Sequence, residues 1–210
     1  ALNSARVEET GINIPKLVEI TKVEDEWAII TEFVEGKTVA KLMEENPNDT
    51  HKYIEMMVDL QMDINKRRCP MLNRMKEKLT RQIQSVEEID DGVKYELLTR
   101  LESMPKHVKL CHGDFNPSNI IISGDKVFIL DWVHATQGNA SADVARTYLL
   151  LALESLEKAE DYMDTFCKKS GTDKRYVQRW LPIVAAAQLT KKRPEEKEVL
   201  LKWADVVEYQ

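Results

Sequence analysis

Glycine is scarce in this chain: seven in 210 residues, no two of them closer than 11 positions. A phosphate-cradling loop of the G-x-G-x-x-G or G-x-x-x-x-G-K type needs glycines close together, so none is present. Only three cysteines occur, Cys69, Cys111 and Cys167, far apart and in no C-x-x-C pair. They exclude a disulfide framework and fit a reducing compartment. His107 and His112 flank Cys111, but no fourth ligand completes a zinc set. No apolar run approaches the roughly 20 residues that a membrane helix needs, and the opening Ala-Leu-Asn-Ser-Ala-Arg is not a signal peptide. Positive charge is outnumbered, 30 Lys and Arg against 36 Asp and Glu, for a net charge of -6. That balance excludes a broad nucleic-acid or anionic-membrane surface, and it suits a cationic small partner without requiring one. The expected setting is the cytoplasm.

With 43% hydrophobic and 31% charged residues, the chain can bury one good core with a smaller lobe attached. Residues 1–10 read as the end of a helix, with Gly11 at its C-terminus. Pro15 biases Ile14 towards extended backbone. Leu17–Val23 and Trp27–Val34 then read as paired strands around Glu24-Asp25-Glu26. After Gly36 the pattern turns helical, first over Thr38–Glu44. In 51–65, Tyr53, Ile54, Met57, Val58, Leu60 and Ile64 fall at helical spacing. Further helices are expected over 71–88 and 93–103, and strands Ile120–Ile122 and Val127–Leu130 around Ser123-Gly-Asp-Lys126. From Ser141 onward nearly everything reads as helix, with breaks at Gly171, Pro182 and Pro194. The expected class is α+β and predominantly helical, with a β-containing piece (1–35) ahead of a helical domain (36–210).

The chemistry concentrates in Leu110-Cys-His-Gly-Asp-Phe-Asn-Pro-Ser-Asn-Ile-Ile-Ile122 and Val127-Phe-Ile-Leu-Asp-Trp132. An Asp five residues before an Asn on a short loop, then an apolar hairpin ending in a second Asp, is what phosphoryl transfer needs. One carboxylate accepts the proton of the attacking hydroxyl, while an amide oxygen and the other carboxylate hold Mg²⁺. Turn capping is the plain alternative for Asp114 and Asn119, since Asp and Asn do this often and Pro117 favours a turn. Asp131 fits that alternative less well, because an unpaired charge at the end of an apolar strand is costly.

His112-Gly-Asp114-x4-Asn119 followed by Leu130-Asp131-Trp132 resembles the aminoglycoside phosphotransferase and choline-kinase group of the protein-kinase-like fold. Ala142-Asp143-Val-Ala-Arg146 resembles its Asp-x-Ala segment, and Phe33-Val-Glu-Gly36 its inter-lobe hinge. The resemblance covers most of the chain. It implies a kinase-like C-terminal lobe carrying a catalytic loop at 110–132, with a remnant of the N-terminal β lobe. It also implies Mg²⁺-dependent transfer of the γ-phosphoryl of ATP or GTP to a hydroxyl of an aminoglycoside-, choline- or sugar-like molecule. Under it, Asp114 is the catalytic base and Asn119 and Asp131 are the Mg²⁺ ligands. Glu32 and Val34 offer backbone contacts to adenine, although an edge strand entering a glycine turn explains those residues equally well. His112 is a scaffold residue beneath the loop, Asp143 ties the loop's backbone from the following helix, and Arg146 is expected to be structural.

The acceptor is less defined. Glu154, Glu157, Glu160, Asp161 and Asp164 could draw a cationic amine or form a solvated helix face. Trp180, Trp203 and Tyr209 could stack on it or pack internally, and His134 could touch it. Asn116 and Ser118 stand where many relatives carry His and Gly, and both keep the loop. The family's phosphate-covering loop, strand lysine and orienting glutamate are harder to place. Lys16 and Lys22 follow the first helix instead of preceding it, and the glutamate would fall at or before Ala1. The expectation is a piece of a longer kinase, inactive by itself; the alternative is a non-enzymatic binding or regulatory lobe. ATP against GTP and the oligomeric state stay open.

Overall fold

The computed structural model describes residues 2–205, so Ala1 and Tyr209 lie outside the described residues. The first helix, α1 (Leu2–Glu8), buries Val7 and hangs Asn3 on the carbonyls of Val133 and Ala135. Strands β1 (Leu17–Val23) and β2 (Glu26–Thr31) form an antiparallel hairpin. Its turn is tighter than the sequence suggested. Val23 pairs with Glu26, and only Glu24 and Asp25 lie between them, at φ of 50° and 65°. Positive φ at both central residues is the I′ geometry that matches strand twist. The second strand also stops at Thr31 instead of Val34, with one last bond from the Glu32 N–H to the Lys16 carbonyl at 2.9 Å.

Next come β3 (Lys37–Thr38) and α2 (Val39–Glu45), capped by the Thr38 hydroxyl, which accepts the Lys41 N–H. Helix α3 (Thr50–Lys66) buries Ile54, Met57, Val58, Gln61, Ile64 and Asn65, one stripe at spacings of three and four. The helix expected over 71–88 is shorter, α4 (Met75–Ser85), because residues 69–72 form a turn closed by Leu72 N–H to Cys69 O. Helix α5 (Asp91–Ser103) is capped by Asp90. The remaining strands are β4 (Lys109–Cys111), β5 (Ile120–Ser123), β6 (Lys126–Ile129) and β7 (Thr136–Gly138). They make two small antiparallel ladders, β3-β5-β6 and β4-β7.

The rest is helical: α6 (Ala140–Glu154), α7 (Leu156–Ser170), α8 (Lys174–Gln178), α9 (Leu181–Leu189) and α10 (Lys197–Ala204). Every residue of α9 is buried, which is why its sequence is apolar all round. The break expected at Pro182 falls just before it, at residues 179–180 between α8 and α9. Pro182 itself occupies the first turn of α9, where a missing N–H costs nothing. Ser155 supplies an unexpected break by capping α7 with its hydroxyl. Helices predominate and the strands are few and short, the α+β layout expected. The packing of α4 and α6 against the β4-β7 ladder, with α9 packed on both helices, places the loop 112–119 above a helical floor.

Candidate active site

The segment from His112 to Asn119 joins β4 to β5. It starts at Gly113, whose φ is 80° and where a Cβ would stand 2.6 Å from the His134 carbonyl, so only glycine fits. Asp143, in the first turn of α6, holds this loop from below. Its Oδ1 accepts the Gly113 N–H at 2.8 Å and its Oδ2 the His112 N–H at 3.1 Å. Oδ2 also accepts from Gln61 Nε2 at 3.0 Å and Asn65 Nδ2 at 3.5 Å. A carboxylate this buried is tolerable because four donors and a helix N-terminus replace its water.

His112 is buried beneath the loop, its ring 4.4 Å from that of Trp132 and edge-on to Phe115 at 5.8 Å. Nε2 lies 2.8 Å from the Leu130 carbonyl, and Nδ1 lies 3.2 Å from the Asp114 N–H. A carbonyl only accepts and an N–H only donates, so Nε2 carries the proton and Nδ1 accepts. Burial pushes the imidazole pKa down, which agrees with a neutral ring. One side chain thus fixes the backbone of Asp114 and the strand end before Asp131.

The Asp114 carbonyl accepts from Asn116 Nδ2 at 3.0 Å and Asn119 Nδ2 at 2.9 Å. The carboxylate is divided. Oδ2 faces Asn119 Nδ2 at 3.4 Å, and Oδ1 faces Arg146 Nη2 at 3.6 Å. With its NH₂ group spent on Asp114, Asn119 keeps its amide oxygen for a cation. The Leu130 N–H donates to the Asn119 carbonyl at 2.8 Å, which sets Asn119 beside the end of β6 and hence near Asp131. Asp131 is exposed and left-handed, φ 52°, and its Oδ1 accepts the Val133 N–H at 3.3 Å. Backbone strain of that kind gathers at functional sites. One carboxylate and one amide oxygen form a hard donor set suited to Mg²⁺, whose remaining positions go to phosphate oxygens and water. Among the described residues no group of three or more His, Cys, Asp or Glu forms a self-sufficient metal site.

Beyond Arg146, on the Oδ1 side of Asp114, a half-open cleft lies between α4, α6 and α9, with about 60 Å³ of space. Lys78, Asp143, Arg146, Lys191 and His134 line it, while Asp114, Asn119 and Asp131 do not, and Arg146 is the link between the cleft and Asp114. Lys78 Nζ donates to the His134 carbonyl at 3.0 Å, and Lys191 Nζ to His134 Nε2 at 2.9 Å. Burial, reinforced by Arg146 and Lys191, pulls the Lys78 pKa down to about 8. Burial and the charges of Lys78 and Lys191 lower that of His134.

The family model for the phosphotransferase enzyme family, APH, matches residues 3–180. The chain belongs to that family. Among solved structures it resembles a thermostable mutant of aminoglycoside phosphotransferase APH(4)-Ia in its apo form. That match has 16% identity and a TM-score of 0.69, covering 96% of this chain and 79% of that one. A ternary complex of a thermostable mutant of the same enzyme with ADP and hygromycin B matches at 15% identity and TM-score 0.66, over 92% and 74% of the two chains. A choline/ethanolamine kinase family protein from Mesorhizobium loti matches at 11% identity and TM-score 0.63, over 99% and 78%. No curated protein sequence matches. At these identities the likeness shows the kinase-like fold.

Within this phosphotransferase fold, Asp114, Asn119, His112 and Asp143 gather around one loop, and Asp131 adjoins it. Glu32 and Val34 lie elsewhere, on the segment after β2. Neither the Glu32 carbonyl nor the Val34 N–H has a hydrogen-bond partner among the described residues. Arg146, expected to be structural, pairs its guanidinium with the carboxylate of Asp114 at 3.6 Å. Trp180 is fully buried and Trp203 stacks on Tyr148 at 5.9 Å, so neither lines the cleft. The acidic residues of α7 also lie away from it. Glu160 and Asp164 pair with Lys174, and Asp161 pairs with His51. Lys78 and Lys191 escaped sequence reasoning altogether, because each comes from a different element and carries no spacing signal.

Proposed function

We propose that this chain is the catalytic lobe of a Mg²⁺-dependent small-molecule kinase that transfers the γ-phosphoryl of ATP or GTP to a hydroxyl of an aminoglycoside-, choline- or sugar-like compound. The observation that carries this reading is the division of the Asp114 carboxylate, one oxygen towards Asn119 and the other towards Arg146, which lines the cleft. An acceptor hydroxyl entering from the cleft gives its proton to Asp114 Oδ1. Its oxygen then bonds to phosphorus as the bond to the departing nucleoside diphosphate breaks. Bound Mg²⁺, held by Asn119 and Asp131, would offset phosphate charge in a step that needs positioning more than covalent help. Asp143 and His112 keep the loop in place, and the Glu32 carbonyl with the Val34 N–H offers the complement of an adenine edge. No glycine-rich loop stands among these residues, so the chain alone is proposed to transfer no phosphate. Three free thiols fit a cytoplasmic setting, and no helix of the described residues is long and apolar enough to cross a membrane.

Thermal melts with Mg²⁺ and AMP-PNP test the proposal. A ligand at 100 times its Kd adds about 2.7 kcal/mol, several degrees for a domain of this size. The shift should vanish in Asp131→Asn and persist in Asp114→Asn. No shift in the wild type would favour the non-enzymatic lobe instead. Asp114-dependent phosphorylation of any acceptor by the 210-residue chain would overturn the proposed inactivity.

A further inference from the structure

The cleft beside Asp114 carries more positive charge than its surroundings balance. Lys78 is half-buried, yet no carboxylate lies within ion-pair distance of it or of Lys191 among the described residues. The carboxylates nearby are already engaged. Asp143 spends its lone pairs on the backbone of the loop with Gln61 and Asn65 and returns one negative charge against the three cations, Asp114 faces Arg146, and Glu196 binds Gln188 and Arg193. Neutral His134 cannot neutralise the two ammonium groups hydrogen-bonded to its carbonyl and ring. A desolvated cation without a partner is costly, and a ligand that supplies the missing charge relieves that cost.

A second feature points into the same space. Gln188 lines the cleft and is 2% exposed, and its Nε2 donates to the Glu196 carboxylate at 2.6 Å. Because a carboxylate only accepts, the amide orientation is fixed. That leaves Oε1 buried with no hydrogen-bond partner. A buried acceptor without a donor calls for an N–H or O–H from something that enters. Three cations and an unused acceptor describe an anion bearing a hydroxyl. The roughly 60 Å³ of space in this half-open cleft is about four to six times what one water needs, room for an anionic group of a few heavy atoms.

We propose that the acceptor of this phosphotransferase is a small hydroxylated anion, its phosphate or carboxylate held by Lys78, Arg146 and Lys191, with one hydroxyl near Gln188 Oε1 and another facing Asp114. This deepens the kinase reading and rests on it for the role of Asp114, while the anion site itself stands on the cleft alone. Charge-assisted hydrogen bonds of this kind change affinity by roughly tenfold to a hundredfold each.

Calorimetric titration of the full chain decides it, with glycerol 3-phosphate, glycerate, glycerol and hygromycin B as separate probes and Mg²⁺ with AMP-PNP as an independent arm. One or both anions should bind while glycerol does not, and the anion preferred tells phosphate from carboxylate. Lys191→Met, at an exposed position where folding is not at risk, should weaken that binding at least about tenfold, and so should Lys78→Met. Asp131→Asn should leave it intact. Failure of both anions to bind would overturn the proposal. So would hygromycin B binding that improves in Lys78→Met, or anion binding that survives both lysine variants and is lost in Asp131→Asn or displaced by the nucleotide. Anion binding without nucleotide binding would leave the cleft assignment standing and remove the kinase reading. Nucleotide binding without anion binding would do the reverse.

Discussion

Replacing Lys78 by methionine should make this protein more stable at neutral pH, which is unusual for removing a half-buried hydrogen-bonded side chain. Burial, then the nearby Arg146 and Lys191, lower its pKa from 10.5 to about 8. At about 1.4 kcal/mol per unit, the charged form is destabilised by on the order of 3 kcal/mol on folding. Methionine has similar length and no charge, so the penalty disappears. What is lost is the bond to the His134 carbonyl, worth about 1 kcal/mol net. The expected gain is therefore about 2 kcal/mol, or roughly 4–8 °C in melting temperature for a domain of this size.

The pH dependence distinguishes this cause from better packing. Below pH 8 the folded and unfolded chains both hold the lysine proton, and the whole penalty is present. Between about 8 and 10.5 the unfolded chain still holds a proton that the folded chain has released, so wild-type stability rises with pH. The advantage of Lys78→Met should accordingly shrink from pH 7 to pH 10. Urea unfolding of both proteins across that range measures the difference and cancels the titration of every other group. A variant less stable than wild type at pH 7, or an advantage constant with pH, would refute the reasoning.

Asp143→Ala should lose about 3–5 kcal/mol in urea unfolding, because it strands the backbone N–H groups of His112 and Gly113 with the amides of Gln61 and Asn65. Gly113→Ala should lose about 2–4 kcal/mol by the same measurement, since a methyl group at φ 80° would meet the His134 carbonyl. Glu24→Asn with Asp25→Gly should raise stability by up to about 1 kcal/mol, because both positions are already left-handed; a loss would mean that the I′ turn is misassigned. In a version of the protein that does transfer phosphate, Asp114→Ala should reduce turnover by roughly 10²–10⁴. An unchanged rate would remove Asp114 from the mechanism.

What could be read from the sequence was whatever is local in it. Asp114, Asn119 and Asp131 sit within 18 positions of one another, and spacing on a loop and hairpin is enough to find them. The amphipathic stripe of α3 and the apolar strands β5 and β6 announce themselves by period. The strands β3, β4 and β7 are two or three residues long, too short for any period, and form only because distant segments meet. The I′ turn at Glu24-Asp25 lacks the Asn-Gly signature that would have marked it. The end of β2 follows the end of its partner, whose register stops at Leu17↔Thr31 with one further bond from the Glu32 N–H to the Lys16 carbonyl. Lys78, Arg146 and Lys191 illustrate the limit. They are 68 and 45 positions apart, and only the packing of α4, α6 and α9 brings them to one cleft.

Those three residues also show why shared fold does not settle the acceptor. The chain and the hygromycin B complex superpose as folds at 15% identity, but selectivity belongs to the groups that line the cleft. A cationic group placed roughly 6 Å from one of these charges, at an effective dielectric near 20, meets a repulsion of about 3 kcal/mol, and an anion gains as much. With Lys78, Lys191 and Arg146 together, less what Asp114 and Asp143 return, a surplus of about one positive charge remains, and the balance favours an anion by more than about tenfold in affinity. The stability that Lys78 forfeits at neutral pH is then the counterpart of this selectivity. The same unpaired charge that weakens the fold is what an anionic acceptor would find, and methionine at that position should raise the one as it abolishes the other.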